Sequence, residues 1–144
     1  MTAHEHRIYF LTQVVAHRLR KLADRRVSAA AGISTTQAAV MGIIDQDGPL
    51  HQREIAQMLH QNESAMTGMI KRLEKAGLVT RVRSETDGRA WLVDLTDAGR
   101  TAREQIIPAF STVNDLLDEA LEGHADRFAA DLRAVVAALN LPED

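Results

Sequence analysis

The chain has 144 residues, with 17 Lys and Arg against 20 Asp and Glu, a formal charge of −3, 45% apolar residues and no cysteine. That length fits one domain whose apolar core forms without staples, and the missing thiols exclude a disulfide scaffold, thiolate zinc sites and cysteine nucleophiles. No run of about 18 apolar residues occurs and Met1 to Arg7 is polar, so a soluble, cytoplasmic protein without membrane contact is expected.

In chain order, Thr2-Ala-His-Glu5 has the form of a capping box, and Ile8, Leu11, Val15, Leu19 and Leu22 recur at three- and four-residue steps. This predicts a long amphipathic first helix with Arg7, Arg18, Lys21 and Arg25 off the apolar stripe, ending near Gly32. Ser34-Thr-Thr-Gln37 offers a second capping box, ahead of a helix on Val40, Met41, Ile43 and Ile44 that stops at Asp47-Gly48-Pro49. A short third helix is predicted on Leu50, Ile55, Ala56, Met58 and Leu59, where His51 is a poorer cap than Ser or Thr.

The fourth helix is predicted over Asn62 to Ala76, with Gly77 as a left-handed stop. At 100° per residue Met66, Met69, Ile70 and Leu73 fall on one side, and Ser64, Thr67, Gly68, Lys71 and Lys75 on the other. Thr80 to Ser84 and Trp91 to Leu95 read as two strands joined by Glu85-Thr-Asp-Gly-Arg-Ala90, a hairpin with an Arg-bearing tip. Trp91 is expected to anchor this hairpin to its lobe, and Met41, Met58, Met66 and Met69 to fill the core.

Thr96-Asp97 starts a fifth helix on Ile106, Phe110, Val113, Leu117 and Leu121, which Pro108 should bend or interrupt. After Gly123, a last helix carries Phe128, Leu132, Val135, Val136 and Leu139 before Pro142. The fold class is mainly α with a small β-hairpin: a long helix, three helices, the hairpin, two helices.

The overall charge conceals a segregation. Residues 1–30 carry six Lys and Arg against two acids and residues 62–91 six against four, whereas residues 97–144 carry four against ten. A basic middle and an acidic end point to a polyanionic partner for the middle.

Three short helices followed by a hairpin have the order of a winged helix-turn-helix, and the fourth helix suits a reader of duplex DNA. Small residues let it enter the major groove, Ser64 and Thr67 can reach bases or phosphate, and Lys71, Arg72 and Lys75 can reach the backbone. Arg81 and Arg83 on the first strand extend the basic set. At the wing tip Arg89 can enter a minor groove, oriented by a charge-assisted pair with Asp87.

The run Arg72-Leu-Glu-Lys-Ala-Gly-Leu-Val79, then Arg81, Asp87-Gly-Arg89 and Leu95-Thr-Asp-Ala-Gly99 resembles the MarR family of bacterial transcriptional regulators across nearly the whole chain. The resemblance implies a homodimer whose N- and C-terminal helices, 1–30 and 100–144, interlock, with a winged lobe over 34–96 that binds double-stranded DNA at a pseudo-palindromic operator. It implies Asn62 to Ala76 as the reading helix, Arg89 as the wing arginine and Asp87 as its partner. It further implies a repressor relieved by a small aromatic or anionic effector; Tyr9, Phe10, His17 and Arg20 are the candidates to hold it.

Other classes have less support. His4 and His6, at i and i+2, do not face each other on a helix, and no His-Glu-x-x-His pattern occurs, so a metal-responsive regulator stays only as an alternative reading and no cofactor is expected. No phosphate-cradling Gly loop or G-x-S-x-G turn is present, which argues against an enzyme. A winged-helix protein-interaction module would keep the fold but lose the basic face.

Overall fold

The structure is a computed structural model in which residues 5–139 are described, with side chains from residue 7 onward. The capping box expected at Thr2, the side chains of His4 and His6, and Pro142 lie outside the described residues. The chain divides into two compact units, Met1–Phe110 and Ser111–Asp144.

In the first unit α1 (Glu5–Ala31) ends where Gly32 turns to φ 68°, a left-handed conformation that glycine adopts without strain. Ser34 and Gln37 form the expected capping box for α2 (Thr35–Asp47): Gln37 N donates to Ser34 Oγ at 3.2 Å and Ser34 N to Gln37 Oε1 at 2.9 Å. One Asp24 oxygen on α1 accepts from both Thr35 N (2.9 Å) and Thr35 Oγ1 (2.6 Å), so α1 adds a carboxylate to the N-terminus of α2. The helix α3 (Gln52–Met58) is closed at its first turn by Glu54, whose carboxylate accepts from His51 N at 2.8 Å.

Helix α4 (Glu63–Lys75) buries Met66, Met69, Ile70 and Leu73, the four residues that its periodicity places on one side. The strands β1 (Val79–Arg83) and β2 (Trp91–Leu95) pair antiparallel, with Val79 opposite Leu95, Arg81 opposite Val93 and Arg83 opposite Trp91. Trp91 is 47% exposed and does not anchor the hairpin. That task falls to a backbone bridge ahead of α3, in which Val93 N donates to Leu50 O (2.8 Å) and Leu50 N to Val93 O (3.2 Å).

Around these elements Val27, Val40, Met41, Ile44, Ile55, Met66, Ile70, Leu73, Val93 and Ile106 form one core with essentially no exposure. Full burial of such a side chain is worth about 1.5–3 kcal/mol, so the groups exposed on α4 are held on a stiff support. Met58 is not part of it: it sits exposed at the end of α3.

Helix α5 (Asp97–Leu121) runs through Pro108 without interruption. The missing N–H removes a single ladder bond, and the turns on either side carry the helix on. In the second unit, Glu122 (φ 47°) and Gly123 (φ 86°) end α5 ahead of α6 (Ala125–Leu139), which buries none of its residues and leaves Phe128, Leu132, Val135, Val136 and Leu139 exposed. Among the described residues no single helix is long and apolar enough to cross a membrane.

Candidate nucleic-acid interface

Helices α3 and α4, with the four residues between them, make the helix-turn-helix. Asn62 spends its side chain on structure: its Oδ1 accepts from Ala65 N at 2.7 Å and caps α4. Beyond the cap, Ser64, Lys71, Arg72 and Lys75 are exposed, and none of them forms an ion pair among the described residues. Gly68 lies between them, and a Cβ there would meet only Arg72 Nη1, at 3.8 Å. This face of α4 is therefore low in relief, hydroxylic and cationic, backed by the fully buried Met66, Ile70 and Leu73.

Thr67, Arg81 and Arg83 depart from the simple expectation of outward contacts. The Thr67 hydroxyl donates to Glu63 O at 2.8 Å and accepts from Gln52 Nε2 at 2.7 Å. Arg81 is half-buried, with Nε on Glu74 Oε1 at 3.1 Å and Nη2 on Gln52 Oε1 at 3.1 Å. Its guanidinium ties β1 to α3 and α4. Arg83 lies with its guanidinium carbon 4.3 Å from the centre of the Trp91 ring and donates from Nη1 to Gly88 O at 2.7 Å, so it braces the wing tip.

The wing turn itself differs in one detail. No ion pair joins Arg89 and Asp87 among the described residues; the Asp87 carboxylate instead accepts from Arg89 N at 3.1 Å, and Asp87 N donates to Ser84 Oγ at 3.2 Å. A short Asp side chain reaches a backbone N–H two residues on more readily than a mobile guanidinium, which makes an Asx-type turn. Arg89 is left exposed at the tip.

Behind the wing, the two glycine-bearing segments 77–79 and 95–99 interlock. Gly77 takes φ 75° at the end of α4, Thr96 Oγ1 donates to Gly77 O at 2.6 Å, and Thr96 N donates to Leu78 O at 3.1 Å. Gly99 N in turn donates to Thr96 Oγ1 at 3.0 Å. The pair fixes the exit of α4 against the start of α5 and so sets the wing beside α4.

The candidate effector residues Tyr9, Phe10, His17 and Arg20 are all exposed along α1. Farther along α1, a hollow of about 580 Å³ is lined by Lys21, Asp24 and Arg25. Gln52 and Glu74 are the residues of this face that sequence reasoning misses. The partners of Gln52 lie 15 and 29 positions away, and no local pattern marks it.

Residues 33–91 match the sequence model of the MarR family. The chain is 33% identical over 70 residues to the organic hydroperoxide resistance transcriptional regulator of Bacillus subtilis; that match covers 49% of this chain and 48% of the relative, about half the length of each. It is 28% identical over 113 residues to the HTH-type transcriptional regulator FarR of Neisseria gonorrhoeae, covering 78% and 77%. Among solved structures, the Staphylococcus aureus MepR–DNA complex superposes with a TM-score of 0.78 at 23% identity, over 90% of this chain and 96% of that one, a likeness of fold.

Proposed function

We propose that the chain, whose residues 33–91 match the MarR family model, is a MarR-type sequence-specific transcriptional regulator of double-stranded DNA, a repressor acting as a homodimer on a pseudo-palindromic operator. The observation that carries this reading is the outward face of α4, where Ser64, Lys71, Arg72 and Lys75 are exposed and Gly68 is half-buried between them, over a buried apolar side. A helix with that face can lie in a major groove, its small residues at the leading end allowing close approach while its cations meet phosphates on either side. Arg89 at the wing tip supplies a guanidinium for the adjacent minor groove, whose width it would follow.

Dimerisation is supported within each unit separately. Helix α1 leaves Ile8, Tyr9, Phe10, Leu11 and Val15 exposed, and α6 leaves its own apolar row exposed. Such surface is unfavourable in water by about 25 cal/mol per Å², and segments 1–30 and 100–144 are proposed to bury it against a second copy. The lobe over 34–96 would then face a half-site about 10 bp from its twin.

An effector that prefers a lobe separation unsuited to that spacing would lower DNA affinity by its differential binding energy, about 1–3 kcal/mol in typical systems. Tyr9, Phe10, His17 and Arg20 are proposed to contact a small aromatic or anionic ligand. The regulator is read as non-enzymatic and cytoplasmic. The deciding experiment is a footprint of the purified protein on the DNA upstream of its own coding sequence, repeated with phenolic and carboxylic acids. A two-fold symmetric footprint released by one of the acids is expected; no protected region at any protein concentration would defeat the proposal.

A further inference from the structure

We infer that Gln52 is a positioning residue for DNA reading, one whose primary amide holds α4 in the orientation that gives sequence preference; the inference rests on the DNA-binding function proposed above. A hydroxyl has one proton and two acceptor positions. The Thr67 proton goes to Glu63 O at 2.8 Å, so only a donor can approach the oxygen, and Gln52 Nε2 does so at 2.7 Å. A guanidinium has no acceptor, so only an acceptor can face Arg81, and Gln52 Oε1 does so at 3.1 Å. The second Arg81 contact, Nε to Glu74 Oε1 at 3.1 Å, returns to α4.

Three elements therefore meet at the Gln52 side chain, α3 through Gln52 itself, α4 through Thr67 and β1 through Arg81, and Arg81 in turn holds Glu74 on α4. Thr67 lies one turn from Ser64 and one turn from Lys71 on the face proposed to enter the groove. A clamp there fixes both the rotation of α4 about its axis and its distance from the wing. Base-edge hydrogen bonds span about 2.9 Å and weaken steeply with misalignment, so loss of the clamp degrades base contacts before it touches phosphate contacts, which tolerate small shifts. Gln52 is half-buried at the first position of a helix of seven residues, where it contributes little to the apolar core.

The test uses the full-length protein, a duplex that the wild type enriches from a random-sequence pool, and a scramble of that duplex. Wild type, Gln52→Met and Gln52→Glu are titrated on both at one salt concentration, with thermal midpoints measured in parallel. Met matches the length of Gln without hydrogen-bonding to either partner; Glu keeps the acceptor toward Arg81 but sets an acceptor against the Thr67 oxygen. Both variants should lose about tenfold of the preference for the enriched duplex, the size of one mismatched base pair, and should bind the scramble within about twofold of wild type with the same salt slope. The Glu variant keeps the test open if the Met variant does not fold. An undiminished preference in the folded variants overturns the inference and leaves DNA binding standing. Equal losses on both duplexes with a lowered midpoint assign Gln52 a merely structural role and also overturn it. A wild type that enriches no duplex removes the DNA-reading function itself, and the inference with it.

Discussion

The carbonyl oxygen of Leu78 occupies the place where a Cβ on Gly99 would stand. Gly99 is in the first turn of α5, where alanine would ordinarily be the better helix former by about 1 kcal/mol. Here the contact is with backbone, held by Thr96 hydrogen bonds to Gly77 O and Leu78 O, so the neighbour has little freedom to withdraw. Gly99→Ala should therefore destabilise the protein by about 1–3 kcal/mol, the usual range for overpacking, as a lower urea midpoint at unchanged slope. An unchanged or raised midpoint would show that the segments 77–79 and 95–99 separate freely.

Gly68 should respond in the opposite sense. It is helical, and a Cβ added there meets nothing closer than the end of the Arg72 side chain. Gly68→Ala is expected to raise stability by about 0.5–1 kcal/mol through helix propensity and lower chain entropy in the unfolded state. The same methyl would stand on the face proposed to enter the major groove, so DNA affinity should fall while the thermal midpoint rises. Denaturation and gel-shift titration of one preparation separate the two effects, and a stabilised variant with full affinity would place Gly68 off the interface.

Much of this arrangement is legible in the chain because its determinants are local. The two faces of α4 follow from a helical period over thirteen residues, and the Ser34 box and the Gly77 stop each need only a few neighbours. What escapes is non-local. Arg81 reads as one more exposed cation of the basic segment until β1 folds it onto Glu74 and Gln52, and Trp91 reads as an anchor until Leu50 and Val93 are seen to bridge instead. Asp87 departs for a different reason: a carboxylate beside an arginine suggests an ion pair, whereas the donor it accepts from is that arginine's own backbone N–H.

Asp24 gives a pH-dependent test of another long-range contact. Hydrogen bonds from the Thr35 hydroxyl and then the Thr35 backbone, aided by the nearby Arg20 charge, hold its carboxyl below the ordinary aspartate value despite some desolvation. A depressed folded value means that the unfolded chain takes up the proton first as pH falls. The Asp24 contribution is thus complete above the unfolded aspartate value of about 3.9 and is lost as pH drops below it through the folded value. Asp24→Ala should cost about 1 kcal/mol at neutral pH, as for a lost helix cap, and the gap between the variant and wild type should close in acid. Thermal midpoints from neutral to strongly acidic pH check this, and a gap of constant size would show that ionisation of Asp24 plays no part.

The Asp87 geometry predicts that charge is dispensable and an acceptor is not. Asp87→Asn keeps an oxygen for Arg89 N and removes a negative charge from the wing, so DNA affinity should be retained or slightly raised. Asp87→Ala releases the turn and should weaken binding by about fivefold, the equivalent of one hydrogen bond near 1 kcal/mol. Gel shifts of the two variants rank them, and equal losses in both would restore the ion pair with the Arg89 side chain as the operative contact.

Lys71 and Arg89 should fail in different ways when each is truncated to alanine. Lys71 projects from the exposed face of α4 and is placed to neutralise a phosphate, a contact that releases counterions and carries no sequence information. In the proposed homodimer Lys71→Ala removes two such contacts, so the slope of log affinity against log salt should flatten by about 1.8, with weakening on all duplexes alike. Arg89 is expected to follow the width of a narrow minor groove, so Arg89→Ala should additionally erase discrimination between A·T-rich and G·C-rich flanks. Salt titrations on two duplexes that differ only in those flanks measure both quantities. If the Lys71 variant keeps the wild-type slope, Lys71 is off the phosphate backbone; if the Arg89 variant keeps the flank preference, the wing does not read the minor groove.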